Sequence, residues 1–337
     1  MGNNERYIVF DMMKGIGILL MMLCHLKFKE GMIHQIIYSF HMPLFFLLAG
    51  YFAKNMFSWA EFRKFSKNNA ERLLLPYYVT GAIILLWYAF MSLWKHDASY
   101  AIRYFLSVVT ATIDGWESSW GVIYVGPIWF LFALFLVREI FGLIQLGFTN
   151  IISKYKDEII LTLCLFCSVA SVLIHPYLPS LPLCIAQTFT AIAFYAVGWY
   201  IHNHPLSWWL YSLCMLVWPL SIMYGGVDIS LCKVNYYPLS FIGACGGTYA
   251  LYLCCNGIDK LLSYVIHDIS YIPSPLAWCG MYSLPILCMH NVDMYVGVVR
   301  RIIRSISGNY DGLWGGGIAI LLTAIVIHIP KFKKVFR

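Results

Sequence analysis

Apolar residues run along this chain in long blocks separated by short polar stretches, and ten blocks have the length expected of membrane-crossing segments. They fall at about 9–26, 33–53, 73–94, 123–146, 159–175, 184–202, 207–223, 239–256, 275–295 and 313–330. The seventh contains Pro219 and the ninth Pro285. The pattern predicts an all-α, polytopic integral membrane protein of about ten transmembrane helices, forming a single transmembrane domain over residues 1–337. The longest stretches outside the blocks are 54–72, 95–122 and 257–274. Within 59–72, Trp59, Phe62 and Phe65 recur at helical spacing among basic residues, which predicts an amphipathic helix lying in the membrane interface. No internal repeat stands out.

The first block is unusual because it is not purely apolar. It reads RYIVFDMMKGIGILLMMLCHL and keeps Asp11, Lys14 and His25. Lys14 and His25 are eleven residues apart, close to three turns at 3.6 residues per turn, so they share a face. Asp11 lies one turn from Lys14 on nearly the same side. Ionisable groups inside a span are costly and normally face a protein interior or a wet cavity. The stripe therefore predicts a working site.

Composition agrees with the membrane reading. Of 337 residues, 61% are hydrophobic and 12% charged, against about 25% charged in a soluble domain. Mean hydropathy is +0.71. The first block lacks a small-residue cleavage site and is expected to be a retained span. Placing the N-terminus inside puts the larger share of Lys and Arg, including Arg6, Lys54, Arg63, Lys64, Lys67, Arg72, Arg138 and the basic tail from Lys331, on the cytoplasmic side. Both termini are then cytoplasmic. Arg300, Arg301 and Arg304 fall outside and run against this orientation. The net charge of +7 suits basic loops beside anionic lipid, the expected partner, and does not call for nucleic acid. The eleven cysteines lie mostly inside the blocks and show no paired metal-ligand spacing, so they read as packing residues and no metal is expected.

Two motifs carry a resemblance. One runs Arg6, Asp11, Lys14-Gly15-Ile16-Gly17 and His25; the other is Phe40-His41-Met42-Pro43-Leu44-Phe45-Phe46 followed by Gly50-Tyr51-Phe52. Arg72-Leu73-Leu74-Leu75-Pro76-Tyr77 and Trp129-Phe130-Leu131 add to them. Together they resemble membrane acyltransferase family three, closest to its fucose 4-O-acetylase-like branch, strongly up to about residue 135 and weakly beyond. The chain departs from the family where Cys24-His25 replaces Gly-His, where Ala49-Gly50 replaces Ser-Gly, and where Lys14 replaces the arginine of many relatives. Lysine offers a point charge and not a planar fork, so its geometry toward a phosphate would differ.

The resemblance implies an O-acyltransferase that takes an acyl group, expected to be acetyl, from cytoplasmic acyl-CoA. It implies a carbohydrate hydroxyl as acceptor, on a surface glycan or its lipid-linked precursor, and a multi-pass protein of the cell membrane. His25 has an intrinsic pKa near neutrality and suits a general base that accepts the acceptor's proton. Lys14, about 16 Å away along the axis, suits the pyrophosphate end of coenzyme A. It equally suits an i,i+3 ion pair with Asp11 that lets both be buried. Asp11 reads as a structural or orienting partner. Arg72 suits donor phosphate, whereas Arg63, Lys64 and Lys67 suit lipid headgroups. His41, beside a Pro43 expected to bend or unwind its helix, suits the acceptor or an ordinary interior hydrogen bond in equal measure. His290 and Asp293 share a helix face and read as acceptor contacts. Trp120, Tyr124 and Trp129 fit an interfacial aromatic belt better than a sugar platform.

Two other classes remain. A transporter of a small molecule or lipid-linked sugar would also use buried ionisable groups and broken spans, but the sequence shows no corresponding pair of broken spans in two halves. A non-catalytic scaffold leaves Lys14 without a use.

Overall fold

The computed structural model describes residues 8–26, 31–113, 122–149, 154–177, 181–265, 274–297, 305, 312–329 and 335–336. Arg6, Trp120, the Arg300, Arg301 and Arg304 cluster, and the tail cations Lys331, Lys333, Lys334 and Arg337 lie outside the described residues. The described chain is all-α apart from one small hairpin. The helices are α1 (Ile8–Leu26), α2 (Met32–Tyr38), α3 (His41–Tyr51), α4 (Trp59–Lys95), α5 (Ser99–Thr110), α6 (Trp129–Gly147) and α7 (Lys156–Ile174). They continue with α8 (Ile185–Asn203), α9 (Trp208–Tyr224), α10 (Tyr237–Val265), α11 (Pro275–Met281), α12 (Ser283–Val296) and α13 (Gly312–Val326). Strands β1 (Val227–Asp228) and β2 (Lys233–Val234) pair antiparallel, Val227 opposite Val234, between α9 and α10. Each apolar block falls on one of these helices or on a pair. Among the described residues six spans are long and apolar enough to cross a membrane.

α1 is the hub. It packs against α11, α10, α13, α3 and α12, which surrounds the polar stripe with protein and keeps it away from lipid. Small residues let the helices around it approach closely. A methyl on Gly50 of α3 would lie 1.9 Å from the Tyr195 carbonyl oxygen of α8, and one on Gly198 of α8 would lie 2.0 Å from that of Leu47.

Two helices against α1 are interrupted. The first break falls at Ser39 and Phe40, between α2 and α3. Pro43 has no N–H to give to the carbonyl of Ser39 four residues back, so the ladder lapses there and the proline sits harmlessly in the first turn of α3. Ser39 is held by its own polar contacts, donating to the Ile36 carbonyl at 2.7 Å and accepting from the Trp218 indole at 2.8 Å. The second break falls at Tyr282, between α11 and α12, and Pro285 likewise cannot serve the Met281 carbonyl. Ser274 caps α11 by accepting from the Ala277 amide at 3.2 Å. These paired breaks are more symmetric than the sequence suggested. Pro219, by contrast, sits inside an unbroken α9.

One expectation needs correcting. Residues 59–72 are not a separate interfacial helix; they form the first turns of α4, continuous with the third apolar block. Ser58 starts it, accepting from the Glu61 amide at 3.2 Å while Glu61 accepts from the Phe57 amide at 3.0 Å. The aromatic face packs on α6: the ring of Phe62 covers Gly142, and Asn69 donates to Glu139 at 2.6 Å. Within the stretch 95–122, outside the apolar blocks, lies α5, whose fully buried Tyr104 docks it on the bundle.

Candidate active site

A cavity of about 400 Å³ runs beside α1. Lys14, Ile18, Met21 and His25 all line it, at intervals of four, three and four residues that keep one helix face toward the space. The stripe read from the sequence is thus the wall of a passage. Its rise of 1.5 Å per residue separates Lys14 and His25 by about 16 Å along the axis.

Near Lys14, Asp11 forms an ion pair with it at 2.6 Å, with side-chain exposures of 32% for Lys14 and 9% for Asp11. α4 brings Arg72 to the cavity and α6 brings Arg138. The two guanidinium groups are close enough to repel each other electrostatically. Arg138 stacks over the Phe65 ring at 5.1 Å.

Toward His25, the α2–α3 break presents His41 and Tyr38 to the same space. His41 is 3% exposed and its Nδ1 lies 2.8 Å from the Ile37 carbonyl oxygen. A carbonyl only accepts, so Nδ1 carries the proton in the neutral ring and Nε2 is left as an acceptor. Tyr38 packs edge-on to His41 at 4.8 Å and is stacked on its other side by His34 at 4.0 Å. Tyr124, Trp129 and Ser230 complete this part of the wall. Ser230 is fixed by the β1–β2 turn: its amide donates to Asp228 at 3.0 Å and its carbonyl accepts from Gln187 at 2.9 Å. Trp129 is 3% exposed, which places it inside the protein and not in an aromatic belt.

His290 and Asp293 stand differently. They are 0% and 4% exposed on α12 and do not line the cavity; the His290 ring centre lies 6.0 Å from that of His25. His25, Lys14, His41 and Arg72 are therefore brought together around one space, with Asp11 on Lys14 and His290 behind His25.

A cation and an imidazole about three helical turns apart on the lining of one cavity suit a long anionic donor and a proton transfer. Comparison with known families bears on this. A family-three acyltransferase model, described as an acyltransferase domain, matches residues 7–329. The chain belongs to this acyltransferase family. Its apolar helices and this family point to a multi-pass membrane protein. The nodulation protein NolL of Sinorhizobium fredii is 31% identical over 167 residues, 46% of this chain and 40% of that protein. The chain thus matches less than half of that relative's length. No solved structure matches the chain significantly.

Three residues lining the cavity were missed in the sequence reading. Arg138 was counted among the inner basic residues although it lies inside the apolar block 123–146, which was signal enough. Tyr38 and Ser230 gave no such signal, because a helix break and a turn place them there.

Proposed function

We propose that this protein is an integral-membrane O-acyltransferase that moves an acyl group, acetyl in the favoured case, from cytoplasmic acyl-CoA to a hydroxyl of a sugar. The sugar belongs to a surface glycan or its lipid-linked precursor, and the enzyme sits in the cell membrane as a single domain of ten spans with both termini inside. The observation that supports this reading is the continuous cavity joining Lys14 and Arg72 to His25. The phosphates rest at the cationic end and the pantetheine arm lies along Ile18 and Met21. His25 takes the proton from the acceptor hydroxyl as its oxygen attacks the thioester carbonyl. The carbon–sulfur bond then breaks, and the departing thiolate of coenzyme A takes up that proton, which releases free coenzyme A and returns His25 to its neutral form. His41, through Nε2, holds the acceptor.

The experiment is transfer of labelled acetyl from acetyl-CoA by purified protein in detergent, with membrane glycan extract as acceptor. Wild type is expected to transfer and His25→Ala to fail. A His25→Ala variant working at the native rate refutes the assigned base.

Transport is a second reading, favoured by the paired broken helices that flank the cavity. Transfer in detergent, where no sealed compartment exists, excludes transport as the sole activity.

A further inference from the structure

Cations do not sit inside a membrane protein without something to balance them. Lys14 is balanced already, by Asp11 at 2.6 Å. Arg72 and Arg138 are not. Among the described residues the ion pairs within 4.0 Å are Lys14–Asp11 and His204–Asp157, and neither involves an arginine. Glu139, next to Arg138 in sequence, accepts from Asn69 at 2.6 Å. The Nε of Arg138 is buried with no acceptor among the described residues. Phe65 under its guanidinium, at 5.1 Å, braces the group without taking any of its hydrogen bonds. Two mutually repelling guanidinium forks on the lining of one cavity, that of Arg138 braced by Phe65, form a site for a dianion.

We propose that Arg138, with Arg72, forms a phosphate-binding pair at the cationic end of the cavity, and that this pair, not the Asp11-neutralised Lys14, supplies most of the attraction for a phosphorylated ligand. The ligand chemistry is a phosphate or diphosphate group, which an acyl-CoA donor or a lipid headgroup could bring. The donor assignment rests on the function proposed above; the phosphate site does not.

The test uses full-length protein in nanodiscs of zwitterionic lipid, with labelled coenzyme A and labelled pantetheine as probes, for wild type, R138Q and R138K. The expected result is a loss of coenzyme A affinity of about 10- to 100-fold in R138Q, a smaller loss in R138K, and unchanged pantetheine binding. Equal loss of both probes in R138Q means that Arg138 only shapes the cavity, and overturns the proposal. R138K keeps the test usable if R138Q fails to fold, since loss of coenzyme A affinity confined to the phosphate-bearing probe is still required. The lipid arm measures the thermal shift on adding phosphatidylglycerol. A shift in wild type but not in R138Q, without coenzyme A binding, supports the phosphate pair with a headgroup as ligand and removes the donor assignment alone. Wild type that responds to neither coenzyme A nor phosphatidylglycerol overturns the pair.

Discussion

Gly15 of α1 and Gly280 of α11 meet backbone to backbone. A methyl on Gly15 would lie 1.9 Å from the Leu276 carbonyl oxygen, and one on Gly280 would lie 1.7 Å from that of Asp11. Backbone atoms cannot swing aside as a flexible side chain does. Gly280→Ala is expected to force the two helices apart, at about 1–3 kcal/mol. A lowered melting temperature in detergent, with acyl transfer falling alongside because Asp11 and Lys14 move, is the expected reading; an unshifted melt would contradict the crossing.

His25→Ala should lower kcat by about 10²- to 10⁴-fold, the usual contribution of a general base. Coenzyme A binding should be retained, since the phosphates lie at the other end. Equal loss of binding and turnover would show that His25 holds the donor and does not act as base.

Much of this site was legible in the sequence because α1 is one uninterrupted helix. Once Asp11, Lys14 and His25 lie on a regular helix, arithmetic alone puts them on one face, and the cavity is found there. Arg72 was legible for the same reason, by its position at the mouth of an apolar block. Tertiary placement was not. The sequence put His290 and Asp293 with the acceptor, while the fold buries both on α12 off the cavity lining, His290 with its ring 6.0 Å from that of His25. The motif Trp59, Phe62, Phe65 marks an apolar face truly, but periodicity does not say whether lipid or a neighbouring helix covers it; Phe62 packs on Gly142. The two helix breaks were half visible, through Pro43 and Pro285, but their common position around the cavity belongs to the fold.

Asn55 ties the loop after α3 to two helices. Its side-chain oxygen accepts from the Trp199 indole at 2.6 Å and from Gln145 at 3.3 Å, and Gln145 in turn accepts from the Met56 amide at 3.2 Å. Asn55→Ala leaves the buried indole N–H without this acceptor, at about 1–3 kcal/mol. Faster proteolysis within 52–58 and a lowered melting temperature are expected, and an unchanged cleavage pattern would disprove the latch.

Cys232, beside β2, is 2% exposed, and burial pushes its thiol up to about 12. At pH 8 it is therefore almost wholly protonated, and only the thiolate reacts with maleimide. Mass spectrometry should find Cys232 unmodified in the folded protein at pH 8 and modified after denaturation. Rapid labelling of the native protein would mean that the hairpin opens.

Because Lys14 and His25 are carried by the same rigid rod, their spacing cannot adapt to what lies between them. On the function proposed above, such a wall would act as a gauge: a donor whose arm is shorter by one amide unit would leave its carbonyl short of the imidazole even with its charged head seated. One residue inserted between positions 14 and 25 would turn the imidazole by about 100° about the axis while leaving the head undisturbed. Selectivity for arm length, on the function proposed above, would then depend on the height at which α1 holds its imidazole relative to Arg72 of α4 and Arg138 of α6.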